Sequence, residues 1–183
     1  MINITRAQSI PGWMDDPDLV WLAEQAGAHE RILEVGSWMG RSTRALADHT
    51  SGSVTAVDTW KGSEEEEHVR TLEGKSEEWL QKEFFKNMSG LPASRIGAFR
   101  GSSLEAAKYY KHMGCVFDMI FVDAAHDYEN VKADLLAWGP LVSKGGLFCG
   151  HDYSPNWPEV VRAVDEQFPN VKKSPGFIWY VEA

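Results

Sequence analysis

Cysteine is nearly absent. The chain has 183 residues and two cysteines, Cys115 and Cys149, too few for a disulfide framework. Cys149 lies inside an apolar stretch, where a buried structural thiol is the default. Long apolar runs are lacking too. None approaches the roughly 20 residues that span a bilayer, and the opening MINITRAQSIPGW has no apolar core of the length a secretory signal needs. A soluble, cytoplasmic protein is the expectation. Basic residues are few and scattered: Lys and Arg number 18 against 27 Asp and Glu, for a net charge of −9, and only Lys172 and Lys173 are adjacent. That balance excludes a nucleic-acid surface or an anionic membrane as the main partner. Internal repeats and low-complexity linkers are also missing, so 1–183 reads as a single domain, large enough to bury roughly two thirds of its unfolded surface.

The most informative stretch present is 31–58, RILEVGSWMGRSTRALADHTSGSVTAVD. Ile32, Leu33 and Val35 predict a short buried strand ending at Gly36, Gly40 relaxes the following turn, and Arg41–His49 has a helical pattern. Val54, Ala56 and Val57 predict the next strand, with Asp58 at its carboxyl end. This is the nucleotide-type half of a parallel α/β sheet, whose ligands sit beyond the strand ends. A dinucleotide fingerprint would need two further glycines, and those places hold Trp38 and Arg41. A pyrophosphate is thereby disfavoured. An acid 22 residues after Gly36 suits a ligand with a ribose diol and no phosphate. Asp58 can accept from both ribose hydroxyls, and Ser42 with the backbone N–H groups of a helix N-terminus suits a carboxylate.

The alternation continues. Helices are predicted over 16–26, 104–112, 128–138 and 158–168, strands over 96–100, 119–122 and 146–150, and a closing antiparallel pair over 171–173 and 177–181. Such alternation indicates a doubly wound, Rossmann-like sheet with helices on both faces.

Over nearly its whole length the chain resembles the class I methyltransferases that use S-adenosylmethionine. Glu34-Val35-Gly36-Ser37-Trp38-Met39-Gly40 looks like their first motif, and Asp58 like their ribose-binding acid. The resemblance implies a seven-stranded sheet with the last strand inserted antiparallel beside the fifth. It also implies that Glu34, Gly36, Ser37, Gly40 and Ser42 hold the methionine end, with Glu34 adding negative potential near the sulfonium and ammonium. Ser102 and Ser103, after the third strand, fall where related enzymes contact adenine, and Trp60 could stack on that base. Ser102 or Ser103 would equally serve as the N-cap of the next helix, and Trp60 as core or lid packing.

Two more strand ends carry reactive groups: Asp123 and His126 in VDAAHDY, His151 and Asp152 in GHDY. Methylation of oxygen needs a hydroxyl that has lost its proton, through a base, a divalent metal, or both. Asp123, His151 and Asp152 offer three metal ligands, with Asp123 also a catalytic and cofactor-contacting candidate that positions the acceptor, and His126 a base, since an imidazole titrates at about 6.5. His126 as a ligand, with Tyr128, Tyr153 or a bound hydroxide as base, stays open, as does a purely local hydrogen-bonding role for all four. The set resembles the metal-dependent O-methyltransferases of catechols and caffeoyl-CoA, and more closely the macrolide-sugar and cephalosporin-pathway family. A histidine among the ligands shifts the expectation from Mg²⁺ toward Mn²⁺, Fe²⁺ or Zn²⁺.

The insertion 60–95 is expected to govern acceptor choice. The acidic run 64–67 reads as a solvated face. Ser76 is a candidate cap for a helix with Trp79, Leu80, Phe84 and Met88 on one side, which would close over the site with Pro11, Gly12, Trp13 and Met14. Exposed tryptophans in such a lid would favour a homodimer. The functional expectation is transfer of a methyl group from S-adenosylmethionine to a hydroxyl of a small sugar or phenol, assisted by a divalent metal and a histidine base. A non-methylating redox enzyme on the same fold, or a cofactor-binding scaffold, are the alternatives.

Overall fold

The computed structural model describes residues 2–63 and 66–183. Among them, strands β1 (Arg31–Val35), β2 (Ser53–Asp58), β3 (Ile96–Arg100), β4 (Phe117–Val122), β5 (Val142–Gly150), β6 (Lys172–Lys173) and β7 (Trp179–Glu182) form one sheet. The order is β3-β2-β1-β4-β5-β7-β6. β1 to β5 pair in parallel, while β7 runs antiparallel to both β5 and β6. The helices are α1 (Thr5–Gln8), α2 (Asp16–Ala26), α3 (Arg41–His49), α4 (Glu66–Leu72), α5 (Trp79–Asn87), α6 (Ser103–His112), α7 (Tyr128–Trp138) and α8 (Pro158–Gln167).

Strand side chains alternate between two cores, as the two-residue period of a pleat requires. Ile32, Val54, Met119 and Phe121 meet α2 and α3 on one face. Leu33, Val57, Ile120 and Phe148 meet α6, α7 and α8 on the other. Leu19, Leu22, Ala23 and Ala26 form the buried stripe of α2, at the helical spacing the sequence shows. Chain winding reverses between β1 and β4, and the crevice of such a sheet opens at their carboxyl ends.

The insertion departs from expectation. Ser76 does not cap the helix with its side chain: α5 starts after Glu78, and Ser76 contributes only its carbonyl, which accepts the Trp79 N–H at 3.0 Å. Nor does α5 cover the crevice. Leu80, Phe84 and Met88 are buried against Ile10, Met39 and Trp60 in a third core cluster, because three large apolar side chains on one stripe gain more from burial than from a solvated mouth. The element beside the crevice is the short α4, which buries none of its residues. Of the acidic run, Glu66 and Glu67 are exposed, and residues 64 and 65 lie outside the described residues. Trp13 is exposed, whereas Trp79 is half-buried and Trp60 is core.

Phe84 is fully buried, with its ring 5.1 Å from that of Trp60. Phe84→Ala should lower unfolding free energy by about 3–5 kcal/mol, read by urea denaturation.

Candidate active site

β1 ends at Gly36, whose φ of 86° lies in the left-handed region. A Cβ there would stand 1.9 Å from the carbonyl oxygen of Asp123, so only glycine lets the turn after β1 lie against the end of β4. The Gly36 N–H donates to Val57 O at 2.9 Å and the Asp123 N–H to Val35 O at 2.8 Å, so three strand ends are fixed together. Gly40, at φ 91°, begins α3 and rests on Phe84 and Met88.

Asp58 clasps this turn. Its Oδ2 accepts the N–H groups of Ser37 and Trp38, both at 2.8 Å, and its Oδ1 accepts that of Trp60 at 2.6 Å. Burial raises its pKa, with those three backbone bonds pulling the other way. A carboxylate offers about four acceptor sites, so Asp58 keeps capacity on Oδ1 for a ligand hydroxyl. Trp38 and Trp60 hold positive φ angles of 47° and 51° around this clasp. Such a conformation is costly for a tryptophan and persists because the bonds to Asp58 over-determine it.

The crevice is a cavity of about 790 Å³, within the usual range for small-molecule sites. Gly36, Ser37, Ser42, Asp58, Ser102, Ser103, Asp123, His126, His151 and Asp152 all line it, as their placement at strand ends leads one to expect. Glu34, Gly40 and Trp60 do not. Trp60 is 1 % exposed and packs on Phe84, so it cannot face adenine; its indole N–H is bonded to Trp38 O at 3.1 Å. Glu34 lies fully buried beneath the floor. Thr43 Oγ1 donates to its Oε2, while its Oε1 and the nearby Ser37 Oγ lack partners. Ser102 closes a capping box with Glu105, and Ser103 Oγ donates to Asp134.

The reactive groups gather at the ends of β4 and β5. His126 Nε2 is 2.9 Å from Asp152 Oδ2, and its ring stacks on Trp157 with centroids 4.2 Å apart. Asp152 is another non-glycine residue with positive φ, at 61°. His151 Nε2 is 3.3 Å from Asp18 Oδ2, and its Nδ1 is 3.3 Å from Asp152 Oδ1 and 3.8 Å from Asp123 Oδ1. Burial by itself would lower the His151 pKa. The carboxylates of Asp123, Asp152 and Asp18 outweigh it and push the value up to about 11. Burial raises Asp123 to about 6, against the pull of His151. Asp152 goes the other way: although burial opposes ionisation, hydrogen bonds from His126 and His151 hold it well below the usual carboxylate range.

These contacts set a second candidate ligand group beside the expected one. His151 has both ring nitrogens facing carboxylates, Asp18 on one side and Asp152 and Asp123 on the other. The group whose ligand atoms lie within 4.8 Å of one another is Asp123, His126 and Asp152. The two tyrosines drop out as bases. Tyr128 Oη donates to Glu166 and Tyr153 Oη to Asp165, and the Tyr153 hydroxyl is pushed up to about 12 by burial and that carboxylate.

Residues 33–153 match the methyltransferase domain family. The chain belongs to it. With this strand order it is a class I S-adenosylmethionine-dependent methyltransferase. No protein of curated function matches the sequence. Among solved structures, the fold is similar to that of an O-methyltransferase from Bacillus cereus in complex with S-adenosylhomocysteine, with 21% identity, 97% of this chain and 86% of that chain covered, and a TM-score of 0.63. The O-methyltransferase TomG from Streptomyces achromogenes, involved in tomaymycin synthesis, gives 17% identity, coverage of 100% and 87%, and a TM-score of 0.65. The calicheamicin methyltransferase CalS11 gives 17%, coverage of 90% and 77%, and 0.65.

The site of this methyltransferase contains residues that no pattern in the sequence singles out. Arg41 ties the N-terminal segment to the cavity by donating to the carbonyls of Met14, Gln8 and Ile10. Asp18, fully buried, also accepts the Phe177 N–H at 3.0 Å. Asp134, Trp157 and His68 likewise reach the cavity from separate elements.

Burial raises the Glu34 pKa from 4.5 to about 7, against hydrogen bonds that favour the carboxylate. Above about pH 4.5 the unfolded chain has shed this proton while the folded one keeps it, so stability falls as pH rises to 7. Wild-type unfolding free energy should drop across that window by roughly 2–3 kcal/mol from this group. Glu34→Gln should lack that part of the slope in urea titrations at pH 5, 6 and 7.5.

Proposed function

We propose that the protein transfers the methyl group of S-adenosylmethionine to a hydroxyl of a small sugar-like or phenolic acceptor, with His126 as base. The observation that carries this reading is the position of the His126–Asp152 pair in the wall of the same cavity that Asp58 and the Gly36 turn border. The cavity suits the cofactor. Asp58 retains acceptor capacity for ribose, Ser42 and the start of α3 suit a carboxylate, and the orphaned Glu34 Oε1 and Ser37 Oγ lie just under the turn. Bound there, S-adenosylmethionine supplies an electrophilic methyl on its sulfonium.

With that cofactor bound, the acceptor oxygen would take the methyl as the carbon–sulfur bond breaks, and sulfur would leave as the neutral thioether. The hydroxyl proton passes to His126, and the imidazolium is stabilised by ionised Asp152. Trp157, stacked on the ring, fixes its orientation. His151 balances Asp123 and Asp152, which keeps surplus negative charge from collecting around an oxygen that is losing its own proton.

A second reading has its own observation. Asp123, His126 and Asp152 could hold a divalent cation of the Mn²⁺, Fe²⁺ or Zn²⁺ kind, which would lower the acceptor's pKa. His126 would then be a ligand. The two readings separate cleanly. With His126 as base, chelator should leave turnover within twofold, and His126→Asn should reduce kcat by about 10²–10⁴ while S-adenosylhomocysteine affinity changes little. Loss of turnover with chelator, restored by Mn²⁺, would favour the cation.

Acceptor closure is assigned to α4 and residues 11–14. Trp13 Nε1 donates to Glu67, bridging the two segments, and the Trp38 ring stacks on His68 with centroids 4.1 Å apart. Trp13 is 52 % exposed, its ring is 5.5 Å from that of Trp38, and both line the cavity, which suits them to a ring-bearing acceptor. Trp13→Ala should raise the acceptor KM roughly tenfold with S-adenosylhomocysteine affinity kept within twofold by calorimetry.

A further inference from the structure

Ser102 and Ser103 are the residues that the sequence offers to the adenine edge, but the structure commits both hydroxyl protons elsewhere. Ser102 Oγ donates to Glu105 Oε2 at 2.7 Å within the capping box. Trp138 Nε1, which can only donate, gives its proton to Ser103 Oγ at 2.8 Å. Ser103 therefore spends its own proton on Asp134 Oδ1. The polarity of this relay is fixed from its buried tryptophan end, and it terminates on a carboxylate.

That carboxylate is unusual. Asp134 projects from α7, is 4 % exposed, and still borders the cavity. Among the described residues, the bond from Ser103 is the one hydrogen bond it receives. Burial raises its pKa to about 6, with the Ser103 bond pulling down, so near pH 7 it is mainly ionised and can only accept. Its second oxygen receives no hydrogen bond from the described residues and opens on the cavity, where a ligand N–H can reach it. Val57, Leu104 and Ala133 give the same cavity apolar lining, Asn130 lines it one turn before Asp134, and Asp58 follows Val57 at the end of β2. Apolar walls with one acceptor at the edge, beside a ribose-binding acid, suit a flat base bearing an exocyclic amine.

We infer that Asp134 determines nucleobase specificity: its unmatched oxygen accepts the exocyclic amine of adenine and selects a 6-aminopurine over a 6-oxopurine. This rests on S-adenosyl ligands occupying the cavity. A 6-oxopurine would set its own oxygen against the carboxylate, leaving two acceptors facing each other and no donor between them. Sites built to pair with a ligand N–H discriminate strongly for this reason.

The test is calorimetry with S-adenosylhomocysteine and its hypoxanthine counterpart, S-inosylhomocysteine, on the full chain near pH 7.5, with melting curves to establish folding. Wild type should bind the adenine ligand about 100-fold more tightly. In Asp134→Asn, the amide oxygen takes the Ser103 proton and the amide N–H₂ faces the base, so the ratio should fall at least about tenfold and move toward the hypoxanthine ligand. Asp134→Ala, with no acceptor, should lose the preference without reversing it. A wild-type preference below about tenfold overturns the assignment, and that measurement needs no variant to fold. So does a ratio that falls less than about fivefold in both folded variants. Failure of wild type to bind either ligand is a different result: it rejects the S-adenosyl reading on which the assignment stands.

Discussion

The closeness of Gly36 to the Asp123 carbonyl sets the geometry of everything at this edge of the sheet. With a Cβ only 1.9 Å from that oxygen, any other residue would force β1 and β4 apart at their carboxyl ends. Because the contact is backbone on backbone, the turn leading to α3 and the loop leading to His126 are one rigid unit. Asp58 adds the third strand by taking the N–H groups of Ser37 and Trp38. A ligand held by this turn is thus registered against the groups at the ends of β4 and β5, without a flexible side chain between them.

Charge arrangement follows from that rigidity. Asp18, Asp123 and Asp152 converge on one small region, and His151 lies among all of them. A lone buried carboxylate would neutralise itself by taking a proton, as Glu34 tends to do. Here the imidazolium keeps Asp152 ionised, and Asp152 in turn faces His126. Asp18 contributes from α2, far away in sequence, and simultaneously fixes the loop before β7 through Phe177. The N-terminal helix is therefore part of the electrostatics of the site and not only a cover for the sheet.

The insertion divides its work in a way that composition does not reveal. α5 supports the floor: Phe84 and Met88 press on Gly40 from below. α4, which buries nothing, meets Trp13 and Trp38 through Glu67 and His68 at the mouth. One insertion thus supplies both a buried support for the cavity and an exposed element at its mouth.

Local pattern determined the sheet. Short apolar runs bounded by glycine and acids predicted β1 to β5, and the bounds of α2, α3, β3 and α7 coincide with those predicted from side-chain periodicity and end signals. The strand-end residues were legible for the same reason, since a residue just past a parallel strand must face the crevice. Partnerships were not legible. His151 meets Asp18, 133 positions away in the chain, as well as its neighbour Asp152. Trp60 is core and not an adenine wall because α5 folds back against it, and the Ser103 hydroxyl has its proton on Asp134 because Trp138 donates to its oxygen. The sequence by itself determined a doubly wound α/β sheet, the turn at Gly36 and the residues at the strand ends, because these depend on neighbours within one βαβ unit. Only the tertiary structure decided which of those groups carries charge, which is bonded and which is free to meet a ligand, because burial and hydrogen-bond pairing are set by elements that meet only when the sheet is assembled.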